Sequence, residues 1–250
     1  MLAKFTGWVL LVVIRLLTGA QARWWGCPPK AEQRIYFANH QSHLDLVMIW
    51  AALPEELRSI TRPIAARDYW ANTPFKRWIT TEVFNAIYVE RGGSAPVPVA
   101  ETAPAPPTER IDPSFDAVVQ TELPLAPPVA EPAPSAAPGS AEALAPLQPL
   151  IEALQSGDSI IIFPEGTRGH TGEPQKFKSG LFTLAQMFPE VVLVPAWIDN
   201  VQRVMPKGEV VPVPILCSVT FGEPVQLDEG EERRPFLDRA REAVVALRYV

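Results

Sequence analysis

Residues 34–53 read RIYFANHQSHLDLVMIWAAL, and this stretch decides the fold class. RIYFA is a short apolar run typical of a buried strand, and LDLVMIWAAL is long and apolar enough for a helix packed against it. A strand followed directly by a helix is the unit from which layered α/β proteins are built. We therefore expect residues 39–45, NHQSHLD, to lie at the carboxyl end of a strand, where ligands bind in such sheets.

The same alternation continues along the chain. Further strands are predicted at SITRPIAA (59–66), VFNAIYVE (83–90), SIIIF (159–163), VVLVPAWI (191–198) and PILCSVTFG (214–222). Helices are predicted at PFKRWIT (74–80), LQPLIEALQSG (147–157), LFTLAQMF (181–188) and a C-terminal segment that places Phe236, Ala240, Val244 and Leu247 on one face. The predicted fold class is α/β, with one domain built as a layered sheet flanked by helices.

A Pro/Ala-rich segment at residues 94–149 interrupts this alternation. It holds 14 of the 28 prolines, and its seven acids and one base sum to −6, which equals the net charge of the whole chain. Prolines at this density remove backbone donors and disrupt helices and central strands. We predict a disordered insert at 94–149, with a short ordered piece at 111–123 as an alternative, between two parts of one domain at 31–93 and 150–250.

The first 30 residues form an acid-free segment with four bases, Lys4, Arg15, Arg23 and Lys30. Its apolar run from Trp8 to Ile14 is too short to cross about 30 Å of hydrocarbon, and Arg15 interrupts it. A signal peptide is disfavoured because bulky Trp24 and Trp25 follow the apolar run. We predict a membrane-associated helix within 1–30, with both tryptophans at headgroup level on an anionic surface. A core helix of a soluble domain is the alternative.

Two other classes of interaction are disfavoured. Cys27 and Cys217 are far apart and belong to no CxxC pair, so both are expected to stay reduced, as in a cytosol-facing protein. No basic run interleaved with aromatic residues follows the N-terminal segment, so nucleic acid is not an expected partner.

His40 and Asp45, both within NHQSHLD, are the first candidates for chemistry. A histidine can accept a proton from an alcohol, and a nearby carboxylate can select its tautomer and stabilise the imidazolium. The two side chains can meet if the turn between strand and helix is distorted. The alternative is structural, with His40 as a polar core residue and Asp45 as a helix cap.

The segment FPEGTR, residues 163–168, follows the predicted strand SIIIF and supplies the second group of candidates. Pro164 and Gly166 favour a tight turn at the strand end. Arg168 has the planar fork that suits a phosphate, and Glu165 could accept hydrogen bonds from hydroxyls. Lys176 and Lys178 could add positive charge to the same rim. A structural turn with a surface ion pair is the alternative.

Taken in order, four blocks resemble those of the glycerolipid acyltransferase family, which includes the 1-acylglycerol-3-phosphate acyltransferases. The blocks are NHQSHLD, AIYVER (86–91), FPEGTR and VPAWI (194–198). The likeness also covers FKSG (177–180) and FGEPV (221–225). One position departs, because Asn85 stands early in the strand ending at Arg91, where the family often has Gly.

The resemblance implies a mechanism and a set of site residues. His40, oriented by Asp45, would deprotonate a glycerol hydroxyl, which attacks the thioester of acyl-CoA or acyl carrier protein. The acceptor and its phosphate would be bound by Arg91, Glu165, Gly166, Thr167 and Arg168. No covalent acyl-enzyme is implied, and the sequence contains no GxSxG segment for a nucleophilic serine. No cofactor or metal is expected.

Two rival functions remain at this point. His40, His43 and Asp45 could form a metal triad of a hydrolase, although a catalytic zinc site usually has three protein ligands and a water, and the only other histidine is His170. A non-catalytic lipid-binding protein on the same fold is the second rival.

The favoured function is acylation of 1-acyl-sn-glycerol-3-phosphate to phosphatidic acid in phospholipid biosynthesis. Glycerol 3-phosphate, another lysophospholipid or an acylated amino acid are alternative acceptors. The expected partners are a membrane lipid surface, the lysophospholipid and, if it is the donor, acyl carrier protein. The expected location is the cytoplasmic face of the inner (plasma) membrane.

Overall fold

A seven-stranded sheet forms the centre of the protein in a computed structural model that describes residues 2–42, 44–90, 144–169, 172–204 and 213–250. Its strands are β1 (Gln21–Trp24), β2 (Arg34–Ala38), β3 (Thr61–Ala66), β4 (Ile87–Val89), β5 (Ser159–Ile162), β6 (Val192–Asp199) and β7 (Ser218–Phe221). Their order across the sheet is β1-β7-β6-β2-β5-β3-β4. All neighbouring pairs are parallel except β6 and β7. The predicted α/β class is confirmed.

Helices cover both faces of this sheet. They are α1 (Leu2–Thr18), α2 (Asp45–Ala52), α3 (Glu55–Ser59), α4 (Arg67–Trp70), α5 (Pro74–Trp78), α6 (Gln148–Gln155), α7 (Gly180–Met187), α8 (Val201–Val204) and α9 (Arg233–Ala246). A π-helical turn, Ile79–Val83, and two 3-10 turns, Ala145–Leu147 and Leu247–Tyr249, complete the helical residues.

The central strand β2 shows how the layers arise. Successive side chains of a strand point to opposite faces. Ile35 and Phe37 therefore pack with α6, α7 and α9, whereas Tyr36 and Ala38 pack with α2 and α3. All five residues of β2 are buried, as expected for a parallel strand covered on both faces.

Two predicted strands are shorter than their apolar patterns. PILCSVTFG is extended in β7 only from Ser218, and VFNAIYVE contributes only Ile87–Val89. Before β4, the π-helical turn packs against α1, where a Cβ added to Gly7 would lie 3.2 Å from Val83 Cγ1. Asn85 then adopts a left-handed conformation, with φ of 49°, which interrupts an extended backbone. Asparagine, which stands here where the family that the sequence resembles often has glycine, is thus a residue that tolerates this conformation.

The strand β1, which was not predicted, contains one of the two tryptophans assigned to headgroup level. Residues 21–24 pair in parallel with β7, and the Trp24 ring stacks on Phe221 with ring centroids 4.2 Å apart. Trp24 is therefore part of the domain's packing, because edge pairing and ring stacking hold it there. Trp25, the next residue, is exposed.

Helix α1 forms where an N-terminal helix was predicted. Leu10, Leu11 and Ile14 pack against the core, while its opposite face stays exposed. That face, here called the α1 apolar face, consists of Leu2, Phe5, Trp8, Val9, Val13 and Leu16. Among the described residues, no helix is long and apolar enough to cross a membrane.

The predicted insert falls almost wholly on residues 91–143, which lie outside the described residues, as does the alternative ordered piece at 111–123. Its predicted end, residue 149, differs from the structure. Helical residues begin at 144, and Leu147 packs against the apolar cluster that includes Leu150 and Ile151. Burial of Leu147 and Leu150 explains why helical structure begins before the last prolines of the segment.

Candidate active site

The first site loop, residues 39–44, begins where β2 ends. The Asn39 side chain is 1% exposed, donates from Nδ2 to the Ile198 carbonyl at 3.1 Å and accepts from the Ile198 amide at 2.8 Å. This pair of bonds continues the contact between β2 and β6 by one residue beyond the paired backbone. These bonds therefore fix the backbone at the residue before His40, at the carboxyl end of the sheet.

His40 and Asp45 are brought together as predicted. The His40 Nδ1 atom lies 2.9 Å from Asp45 Oδ2, and the same oxygen accepts the backbone amides of Gln41 at 2.6 Å and Ser42 at 2.8 Å. The Asp45 side chain is 1% exposed. Since an ionised carboxylate can only accept hydrogen bonds, it favours the tautomer with the proton on Nδ1 and a lone pair on Nε2.

The imidazole of His40 is partly open to solvent. Its side chain is 20% exposed, and its ring stacks on Phe163 with centroids 4.4 Å apart and planes 18° apart. In the described part of the chain no group hydrogen-bonds to Nε2. His40 thus has one nitrogen oriented by a buried carboxylate and the other available as a base.

The second site loop, residues 163–179, follows β5 and contacts the backbone of His40. Glu165 Oε1 accepts the His40 amide at 2.7 Å, and the Gly169 amide donates to the His40 carbonyl at 2.8 Å. Glu165 Oε2 accepts the Gln175 amide at 2.8 Å. Both oxygens of this predicted acceptor-binding residue are therefore already bonded to the protein's backbone.

Glu165 is 2% exposed, and burial raises the pKa of its carboxyl above the ordinary value. The backbone hydrogen bonds from Gln175 and His40 oppose this rise in pKa because they stabilise the charged form. Burial of the carboxyl thus favours its protonated form, and its hydrogen bonds favour the ionised form.

The other predicted residues of FPEGTR form the outer rim of this loop. Gly166 has a φ of 70°, and a Cβ there would lie 2.6 Å from Lys178 Nζ, so the lysine side chain covers the glycine. Thr167 is exposed, with its hydroxyl 3.4 Å from Gln175 Oε1. Arg168 is half-buried, and among the described residues its guanidinium has no ion-pair or hydrogen-bond partner. The rim therefore offers two cationic side chains to an anion.

One predicted site residue, Arg91, lies outside the described residues, as do His43 and His170. The rival metal triad of His40, His43 and Asp45 is therefore not tested by the structure. Among the described residues, no group of three His, Cys, Asp or Glu side chains could hold a metal ion.

The two cysteines are free, and both are buried, which was not predicted. Burial raises the pKa of both thiols, that of Cys217 to about 11. Thiols of this kind stay protonated near neutral pH and are poor nucleophiles.

Phe163 and Gln175 are contacts of the site that sequence analysis missed. Phe163 begins the FPEGTR segment but was given no role there, although its place directly before Pro164 was a signal that it would leave the sheet near the site. Gln175 contributes only its backbone amide. Because nearly every residue type has such an amide, this role could not be predicted from the sequence.

Comparison with known proteins identifies the class. The family model Acyltransferase matches residues 28–199, more than half of the 250-residue chain. The protein belongs to this family. The match covers both site loops and all strands from β2 to β6.

Two relatives are more specific. The chloroplastic 1-acyl-sn-glycerol-3-phosphate acyltransferase of Arabidopsis thaliana is 39% identical over 62 residues, which span 25% of this chain and 17% of that protein. The crystal structure of the 1-acyl-sn-glycerophosphate acyltransferase PlsC from Thermotoga maritima superposes with a TM-score of 0.58 at 19% identity, covering 99% of this chain and 82% of that one. At this identity the superposition shows a shared fold.

Proposed function

We propose that this protein transfers a fatty acyl group from a thioester donor, acyl-CoA or acyl carrier protein, to a hydroxyl of 1-acyl-sn-glycerol-3-phosphate, giving phosphatidic acid for phospholipid biosynthesis. The observation that carries the proposal is the 2.9 Å contact between His40 Nδ1 and buried Asp45, with Nε2 left available. Both relatives are named as acyltransferases of this acceptor class, which supports the choice.

The proposed reaction needs only proton transfer and acyl transfer. His40 Nε2 removes the proton of the acceptor hydroxyl as its oxygen attacks the thioester carbonyl carbon. The tetrahedral intermediate collapses, the C–S bond breaks, and the imidazolium returns the proton to the departing sulfur. Asp45 stabilises the imidazolium between these two steps. Neither buried cysteine is required, and no cofactor or metal takes part in the proposal.

Acceptor binding is proposed for the rim of the second site loop. Arg168 is free among the described residues to form paired hydrogen bonds with a phosphate, and Lys178 places an ammonium group beside Gly166. Gly166 leaves room for the Lys178 side chain at this point, and Thr167 is exposed beside it. Glu165 would contribute through the loop geometry, and Arg91 completes the proposed set.

A panel of acceptors tests this function. Purified protein is incubated with one labelled acyl-CoA, or acyl carrier protein loaded with the same chain, and with 1-acylglycerol 3-phosphate, glycerol 3-phosphate, lysophosphatidylcholine or an acylated amino acid. We expect labelled phosphatidic acid, and we expect His40→Gln to reduce its rate at least about 1,000-fold while the circular dichroism spectrum is unchanged. Product with full activity in His40→Gln would remove His40 from the mechanism.

We further propose that the α1 apolar face binds the membrane that holds this acceptor. Large apolar side chains contiguous on one exposed helix face mark interaction surfaces, and Lys4 and Arg15 on the same helix are exposed beside them. An apolar face bordered by bases suits the interface of an anionic bilayer. The lack of acids in residues 1–30 and the reduced cysteines support the cytoplasmic face of the inner (plasma) membrane.

Flotation with anionic phospholipid vesicles tests the membrane proposal. We expect the protein to float with the vesicles in high salt and to be released by detergent, because the attachment is mainly apolar. The double variant Phe5→Asp/Leu16→Asp should lose most of the floating fraction. Met187→Asp, a matched change of an exposed apolar residue on the opposite sheet face, should float like the unchanged protein. Release by salt alone would show an electrostatic attachment.

A further inference from the structure

Arg241 connects the C-terminal helix to the second site loop. Its Nε donates to the Pro174 carbonyl at 2.8 Å, across 67 positions of sequence, and its guanidinium lies 3.9 Å from the Glu173 carboxylate. Arg241 is on α9, whose apolar face is buried against the sheet. The bond therefore ties a loop to an element that the core holds in place.

The bonded loop residues lead directly to His40. Pro174 is followed by Gln175, whose amide donates to Glu165 Oε2 at 2.8 Å, and Glu165 Oε1 accepts the His40 amide at 2.7 Å. We propose that Arg241 is a positioning residue for His40, acting through Pro174, Gln175 and Glu165. The proposal rests on the function proposed above only in taking His40 as the base.

The space around Gly169 shows why a shift in the loop would reach His40. A Cβ at Gly169 would lie 3.5 Å from both Glu165 Oε2 and the Glu173 carbonyl, and 3.7 Å from the His40 carbonyl. Oxygen atoms of Glu165, Glu173 and His40 thus surround one point, each at ordinary van der Waals distance from such a Cβ. A displacement of residues 173–175 would be passed to His40 through the hydrogen bonds of Glu165.

Packing alone does not hold the loop against α9. A solvent-open cavity of about 410 Å³ is lined by residues 173–176 of the loop together with Asp238 and Arg241 of α9. Apolar contact across such a gap contributes little, so the Arg241 bonds carry much of the connection there. A half-buried arginine bonded to a buried proline's carbonyl is better placed for this than a surface ion pair.

Helix α9 also provides a matched control. Arg234 is 83% exposed and its nearest acid, Asp238, is 4.0 Å away on the same helix, whereas Arg241 is 30% exposed. Replacing either arginine by methionine removes the same charge and keeps a long apolar stem. The two variants therefore differ mainly in the bond to the loop.

Steady-state kinetics give the first test. For Arg241→Met we expect kcat to fall about threefold to tenfold, and by more than any change in KM for donor or acceptor, because residues 173–175 reach the backbone of His40 through Glu165. Arg234→Met should match the unchanged protein. Arg241→Lys, which keeps a donor, should recover part of kcat. Equal kcat in Arg241→Met and Arg234→Met would overturn the proposal, as would a rise in KM alone.

Imidazole NMR gives a second test that needs no activity. The protein has three histidines, so 15N-labelled histidine gives few signals, and His40→Gln assigns those of His40. We expect Arg241→Met to shift or broaden the His40 signals, with partial recovery in Arg241→Lys and no change in Arg234→Met. Unchanged His40 signals in Arg241→Met would refute the connection even if acyl transfer were never detected. A changed signal without acyl transfer would refute the proposed function alone.

A double-variant cycle identifies the route. If Arg241 acts through Glu165, the losses in kcat from Arg241→Met and Glu165→Gln should be non-additive. The kcat of the double variant should then be close to that of the less active single variant. Multiplied losses would show that Arg241 affects the reaction by another path and would overturn the proposed route.

Discussion

The two loops at the site use their polar groups in opposite ways. At the first, residues 39–44, the buried carboxylate of Asp45, the first residue of α2, accepts hydrogen bonds from His40 and two backbone amides, and Asn39 is bonded to Ile198. In the second, residues 163–179, buried Glu165 accepts hydrogen bonds from two backbone amides, while Arg168 and Lys178 lie on the rim. Both loops follow neighbouring parallel strands, β2 and β5.

The difference indicates that the first loop orients the base and that the second presents cations to the acceptor. At the first loop, the bond to Nδ1 selects one tautomer of the His40 ring and leaves Nε2 available as a base. The second loop fixes the backbone of His40 and leaves its cations available. Changes in the first loop should therefore affect kcat, and changes at the rim of the second should affect KM for the acceptor.

Asp45→Asn should give the largest effect among the following variants. The asparagine can present an N–H to His40 Nδ1, which selects the tautomer with the proton on Nε2 and removes the base. We expect kcat to fall about 100-fold to 10,000-fold with little change in KM, measured by initial rates of labelled phosphatidic acid formation. Asp228→Asn, a change of an exposed carboxylate near α9, should keep full activity. A normal kcat in Asp45→Asn would show that the carboxylate is not needed to orient His40.

Arg168→Gln should have a smaller effect, and on binding. Losing the charge-assisted bonds to a phosphate costs about 1.5–3 kcal/mol, which corresponds to roughly a 10-fold to 100-fold rise in KM for 1-acylglycerol 3-phosphate. The rate at saturating acceptor should change less. The rate of acylation of uncharged monoacylglycerol, however slow, should be the same in Arg168→Gln and in the unchanged protein. An equal loss with both acceptors would assign Arg168 to the loop's structure.

The smallest expected effect concerns Glu165 and pH. Burial raises the pKa of its carboxyl above 4.5, so the folded protein binds this proton more tightly than the unfolded chain. The stability that the proton contributes is fully present below pH 4.5 and is lost as pH rises through the raised pKa. Urea unfolding from pH 4.5 upward should thus show a smaller loss of unfolding free energy in Glu165→Gln than in the exposed control Glu242→Gln. Identical slopes would contradict the raised pKa.

Much of the fold could be predicted from the sequence because its strands are buried on both faces. RIYFA and SIIIF are continuous apolar runs, and both form fully buried strands. The strand β1 was missed because QARW is a short edge strand with alternating exposure, held by pairing with β7. The segment before β4 was wrongly predicted as strand because Val83 and Phe84 suit either state, and packing against α1 decided for a π-helical turn.

The candidate site could be predicted in part. The motif spacing predicted the meeting of His40 and Asp45, since both lie within one turn between strand and helix. The use of Glu165 by the backbone could not be predicted, because residue type shows that a carboxylate accepts hydrogen bonds but not from which groups. Arg241 could not be predicted either, since its bond spans 67 positions and ends on a carbonyl that every residue possesses.

The Asn39 side chain has a consequence for motion at the site. By bonding both polar groups of Ile198, it extends the hydrogen-bonded ladder of the sheet up to the residue before His40. The Ile198 amide should then exchange its proton with water as slowly as the other amides of β6, although its acceptor is a side chain. The Asn39 side chain would therefore leave Ile198 only when the centre of the sheet opens, on the timescale of global unfolding and not of loop fluctuation.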